Sequence, residues 1–89
     1  MSAKLITYDL CAPGRDYTSL IVRLQQYPNA CRICESSWII SSFWTPAQIR
    51  NDLMKYIDSN DRIFVVSLTI EAAWYNTLAS DTAVKLALT

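Results

Sequence analysis

The chain has 89 residues, enough for one core, and a chain this small buries only roughly 60–65% of its unfolded surface, so a partner subunit would help it. Hydrophobic residues make up 52% and charged ones 18%, which excludes a disordered tail or a low-complexity segment. Eight basic residues balance eight acidic ones, which removes the electrostatic footprint of tight, sequence-independent nucleic-acid binding, although Arg15, Arg23, Arg32, Arg50 and Arg62 could still converge in space.

Lys4 to Leu10 is almost continuously apolar and too short for a stable helix, so it reads as a central strand ending near Asp9. The following segment holds a proline and the only glycine, and Asp16 is placed to cap a helix over 17–27. Tyr17, Leu20, Ile21, Leu24 and Tyr27 fall on one face of that helix, and Pro28-Asn29 stops it. From Ala30 to Phe43 the pattern is β-like but longer than one strand, and polar Glu35-Ser36-Ser37 predicts a hairpin or sharp bend. Thr45-Pro46-Ala47-Gln48 carries a capping-box signature for a second helix over 46–57, with Ile49, Leu53 and Ile57 inward and Arg50, Asn51, Asp52 and Lys55 facing water. Arg62 to Thr69 has the β-branched density of another strand.

The expected order is therefore βαββαβ, an α+β ferredoxin-like domain over residues 1–69 with a four-stranded antiparallel sheet and two helices on one face. Residues 70–89 form a C-terminal extension expected to fold as a helix or to dock on the open sheet face, on itself or on a partner. No apolar stretch approaches the ~20 residues of a membrane span, and no basic leader precedes an apolar run. Three cysteines, Cys11, Cys31 and Cys34, suit a reducing compartment better than a disulfide framework, which makes the cytoplasm the expected location.

The absence of histidine excludes Ser/His and Cys/His catalysis and histidine metal sites, and one glycine is too few for a phosphate loop. The Cys31/Cys34 spacing on a strand turns the two thiols apart. What remains is Asp9. By alternation Ile6, Tyr8 and Leu10 point to one side and Leu5, Thr7 and Asp9 to the other. If the first set packs on the helices, Asp9 lies on the open face, where a second copy could bring its own Asp9 close and the pair could suit a hard cation such as magnesium. The alternative is that Asp9 only caps the following loop as an Asx turn.

Four features together resemble a known family: Ile6-Thr7-Tyr8-Asp9-Leu10 at the end of strand one, an amphipathic helix, Ser36-Ser37-Trp38-Ile39-Ile40 in a strand pair, and Thr45-Pro46-Ala47-Gln48 opening helix two. The family is the small ferredoxin-fold nuclease-like subunit of the CRISPR spacer-acquisition complex, with its relatives outside CRISPR loci. The resemblance covers roughly residues 3–69, and the tail does not clearly show the extra strand that members often exchange across their dimer. It implies a cytoplasmic homodimer, associated with nucleic acid, in which Asp9 holds Mg2+ for cleavage of an RNA or DNA phosphodiester. It further implies Tyr8 beside Asp9 in the catalytic groove, and Arg15 and Ser36 as substrate contacts. Fold resemblance does not transfer activity. The alternative is a non-catalytic protein-interaction or small-ligand-binding module from a mobile-element or defence-related locus, with Trp38, Trp44, Trp74 and Tyr75 as anchors where exposed.

Overall fold

The elements follow from local sequence signals. The computed structural model describes residues 1–12, 14, 16–69 and 71–89. In chain order they form β1 (Ser2–Asp9), α1 (Thr18–Gln25), β2 (Cys31–Cys34), β3 (Ser37–Ser42), α2 (Pro46–Leu53), β4 (Arg62–Ser67) and α3 (Asp81–Leu88), with a single 3-10 turn at Met54–Tyr56 continuing α2. The capping box at the start of α2 is present: Thr45 Oγ1 accepts from the Gln48 amide at 3.2 Å, and Gln48 Oε1 accepts from the Thr45 amide at 2.8 Å. At α1 the cap falls one residue later than predicted, on Tyr17, and Asp16 helps from outside by accepting from the Thr18 amide at 2.9 Å. The hydrogen bonds from Thr18 hold the Asp16 carboxyl below the usual carboxylate range. α1 ends two residues earlier than predicted, because the chain must turn into β2, and Asn29 takes a left-handed φ of 54° in that turn.

All strand pairs are antiparallel, in the order β2-β3-β1-β4. β1 runs opposite β3 from Ser2↔Ser42 to Thr7↔Ser37 and opposite β4 from Lys4↔Ser67 to Asp9↔Arg62. Paired on both edges and covered on both faces, β1 reads as a nearly unbroken apolar run for that reason. Glu35 and Ser36 make the hairpin turn between β2 and β3, and the Ser36 carbonyl accepts from the Tyr8 amide at 3.0 Å.

Alternation then sorts the side chains into two layers. On one face Ile6, Tyr8, Trp38 and Ile40 pack against Leu20 and Leu24 of α1 and Ile49 and Leu53 of α2. Leu20, Leu24, Ile49 and Leu53 are fully buried, which stabilises the layer by about 1.5–3 kcal/mol for each. On the other face Ala3, Cys31 and Ile39 meet Val84 and Ala87 of α3. The α3 start is capped by Ser80, whose Oγ accepts from the Ala83 amide, and Trp74 Nε1 donates to Asp81, tying the preceding segment to the helix. α3 lies against β3, β2 and β1; on the same face Phe64 of β4 is 61% exposed. Among the described residues no helix is long and apolar enough to cross a membrane.

Candidate functional site

Asp9 closes β1 and Arg62 opens β4, and the antiparallel register sets them directly opposite each other. Directly paired residues share a face, so Arg62 Nη1 reaches Asp9 Oδ2 at 2.8 Å. Both side chains are largely open to solvent, 73% and 67% exposed. Arg62 Nη1 also lies 3.5 Å from the Cys11 thiol. The next pair on this face is Thr7↔Phe64, and Thr7 Oγ1 donates to the Ser36 carbonyl at 3.2 Å and shares a 3.0 Å hydrogen bond with Ser37. Thr7, Asp9, Arg62 and Phe64 line a shallow cleft of about 310 Å³ beside β4, which ends the sheet.

The surroundings are acidic. Asp16 precedes α1 and Asp58 and Asp61 precede β4, all at the end of the sheet where Asp9 sits. Asp61 organises the loops there, accepting from the Cys11 amide at 2.7 Å, from the Asp58 amide at 2.7 Å and from the Tyr17 hydroxyl at 2.8 Å.

Of the residues expected to share a site, the structure brings few together. Tyr8 is buried on the opposite face, where its hydroxyl accepts from Trp38 Nε1 at 3.1 Å. Adjacent strand residues point to opposite faces, so its phenol belongs to the helix-side core, while Tyr8 and Ile63 also contribute to the lining of the cleft at Asp9. Ser36 is half-buried and approaches the site through its backbone carbonyl. Arg15 lies outside the described residues. Arg62 is the residue sequence reasoning missed, having been read as one scattered arginine among five. Its signal is its place at the start of a strand antiparallel to one that ends in an aspartate, which becomes readable only once the register is known.

Magnesium demands near-octahedral oxygen ligation. At Asp9 a single chain offers one carboxylate, and one of its oxygens is held by Arg62. Among the described residues no group of three or more His, Cys, Asp or Glu side chains could hold a metal ion.

A second polar cluster lies between α1 and α2. Asp52 was expected to face water, but it is 8% exposed, with Arg23 Nε donating to its Oδ2 at 2.7 Å and the Tyr27 hydroxyl donating to the same oxygen at 2.6 Å. Lys55 Nζ stands 3.7 Å from the other oxygen. Burial works against the carboxylate, but the bonds from Arg23 and Tyr27 and the guanidinium charge outweigh it, so Asp52 is held below the usual carboxylate range. Burial, reinforced by that carboxylate, pushes the Tyr27 phenol well above its ordinary value. The clue was in the spacing: Ile49, Asp52 and Leu53 stand at i, i+3 and i+4 and so share a helix flank. The two nearby thiols differ in the same way, since Cys31 is buried in the α3 layer, which raises its pKa, while Cys34 is exposed.

No family model matches the chain, and no solved structure matches it at a significant level.

Proposed function

We propose that the protein is a homodimeric, nucleic-acid-associated domain of ferredoxin-like topology whose two copies meet through the Asp9–Phe64 strip and the outer edge of β4. The element order and the strand order β2-β3-β1-β4, with α1 and α2 on one face, support the ferredoxin-like reading. The observation that carries the dimer is Phe64, 61% exposed on a terminal strand whose outer N–H and C=O groups have no strand partner among the described residues. Covering Phe64 on both copies would contribute about 1.5–3 kcal/mol for each ring removed from water.

Nucleic acid enters through the resemblance of the Asp9 strand, the Ser36–Ile40 strand pair and the Thr45–Gln48 helix start to the CRISPR-associated subunit. Phosphodiester cleavage is the finer form of this reading. Asp9 and its two-fold copy would hold the magnesium, and Arg62 would face the phosphate, where a guanidinium makes strong charge-assisted hydrogen bonds. A scaffold without catalysis is the second reading; it is favoured by the ion pair that already engages Asp9 and by the burial of Tyr8.

Light-scattering mass measurement on wild type and Phe64→Asp tests the dimer. A two-chain mass that falls to one chain in the variant supports it, and a one-chain mass for wild type throughout the micromolar range removes it. Cleavage of labelled single- and double-stranded RNA and DNA with magnesium or manganese tests the chemistry, with Asp9→Asn in parallel at matched oligomeric state. Metal-dependent cleavage lost in Asp9→Asn supports catalysis; no cleavage, or equal cleavage by both, leaves the scaffold.

A further inference from the structure

At the opposite end of the sheet, where β3 passes through Phe43 and Trp44 into α2, the surface chemistry is different. Phe43 is 84% exposed and Trp44 42% exposed, in a chain that buries Trp38. Trp44 is nevertheless held in place. Its ring meets Tyr27 edge-to-face at 6.1 Å and 83°, Tyr27 is pinned by Asp52, and the Arg23 guanidinium lies 4.9 Å over the Tyr27 ring. An edge-to-face contact takes at most one face of the Trp44 ring. Trp44 is also the common wall of two open clefts: one of about 260 Å³, shared with Arg23, Tyr27, Ser42 and Phe43, and one of about 340 Å³, shared with Gln48, Asn51 and Lys55.

The charge here is positive. Lys4 is buried, 4% exposed, and its ammonium donates to the Ser42 carbonyl at 3.2 Å, to the Ser2 carbonyl at 3.5 Å and to the Ser2 hydroxyl. Every one of these partners is a neutral oxygen. Ser42, to which it is bonded, lines the first cleft, and Lys55, with 71% of its side chain exposed, lines the second. Asp52 is the one carboxylate side chain among the residues lining either cleft; Arg23 and Tyr27 bond to one of its oxygens, and the exposed Lys55 stands 3.7 Å from the other.

We infer that the Phe43–Trp44 surface binds single-stranded nucleic acid, with neighbouring bases stacked on the two rings and the phosphates drawn by Lys55, which lines the second cleft. Aromatic platforms flanked by cations suit a single strand, because every unpaired base offers a π-face and the backbone offers negative charge. A duplex keeps its bases stacked inside and offers no such face. Two clefts that share one indole fit consecutive nucleotides better than one free nucleotide. The inference shares the nucleic-acid class of the proposed function, but its site lies at the other end of the sheet and requires neither Asp9 nor a second copy.

Fluorescence anisotropy tests it with labelled oligo(dT) and oligo(U) of about 12 nucleotides, the length range of a short single-strand site. A duplex of the same length and free TMP and UMP serve as comparisons. Wild type should bind one or both single strands at least tenfold more tightly than the duplex or the free nucleotides. Trp44→Ala and Phe43→Ala should each weaken binding about fivefold or more. Phe43 is so exposed that its variant should fold normally. Lys55→Met should weaken binding and flatten its salt dependence, an effect a purely structural lysine would not produce. Leu86→Ala, an exposed position of α3 that lines neither cleft, should bind as wild type does, and because the site uses neither Asp9 nor a second copy, a failed dimer or cleavage assay leaves this inference standing. No binding at about 100 µM protein, equal affinity for duplex or free nucleotide, or unchanged affinity in both aromatic variants would overturn it.

Discussion

Two aspartate–arginine pairs of almost equal length do opposite things in this protein. Asp9–Arg62 closes at 2.8 Å and Arg23–Asp52 at 2.7 Å, yet the first pair is 67% and 73% exposed while Asp52 and Arg23 are 9% and 25% exposed. Water and salt screen the first, and an exposed pair of this kind contributes about 0–1 kcal/mol. The second is shielded and shared with a buried tyrosine, so it locks α1 to α2. A pair that contributes little to stability can exchange partners at little cost, whereas a pair that joins two helices cannot. Distance therefore says little about what an ion pair does; burial separates the pair available for binding from the pair that holds the fold.

The sharpest way to break this comparison is to remove Asp52. Asp52→Ala leaves the Tyr27 hydroxyl and the Arg23 guanidinium without their acceptor and should cost about 2 kcal/mol, less than a fully buried pair because Arg23 is a quarter exposed. For a domain of this size that corresponds to a fall of about 10 °C in Tm, measured by circular dichroism. A fall of only a degree or two would make Asp52 equivalent to Asp9.

Acid should separate the two pairs next. The folded-state pKa of Asp52 is depressed, so the unfolded chain binds its proton first on acidification. The stability it contributes is complete above about pH 3.9, the ordinary carboxylate value, and is lost as pH falls below that through the folded-state pKa. Urea midpoints measured from pH 5 downward should drop more steeply for wild type than for Asp52→Asn, and parallel curves would contradict the assignment.

The smallest effect is expected at the other end. Asp9→Asn and Arg62→Ala should each change stability by no more than about 0.5 kcal/mol in urea melts, as for an exposed pair. A loss near that of Asp52→Ala would show that the Asp9 pair supports the fold, and it would no longer be free to serve a ligand or a second copy.

How far the sequence could be read depends on how local each signal is. The start of α2 was legible to the residue because Thr45, Pro46 and Gln48 write a capping box within four positions. The hairpin at Glu35-Ser36 and the strands around Ile6 and Val65 followed from turn chemistry and β-branched runs. Alternation set the Tyr8 and Asp9 side chains on opposite faces, as in the structure, although both residues contribute to the lining of one cleft. Asp52 was misread because a polar residue on a helix flank was assigned to water without asking what a second helix might bring to it. Trp44 was read only as one aromatic among four; its place between two clefts depends on Tyr27 of α1 and Lys55 beyond α2.

The sequence by itself determined the α+β class, the approximate positions of the strands, the start of α2, and the place of Asp9 at the end of an apolar strand. Those features rest on periodicity, capping and turns, which act within a few residues. Tertiary structure decided which arginine faces Asp9, which aspartate is buried, and that one indole lines two clefts. Those outcomes depend on strand register and on how α1, α2 and α3 pack across the sheet, where residues dozens of positions apart compete for the same protons and the same shelter from water.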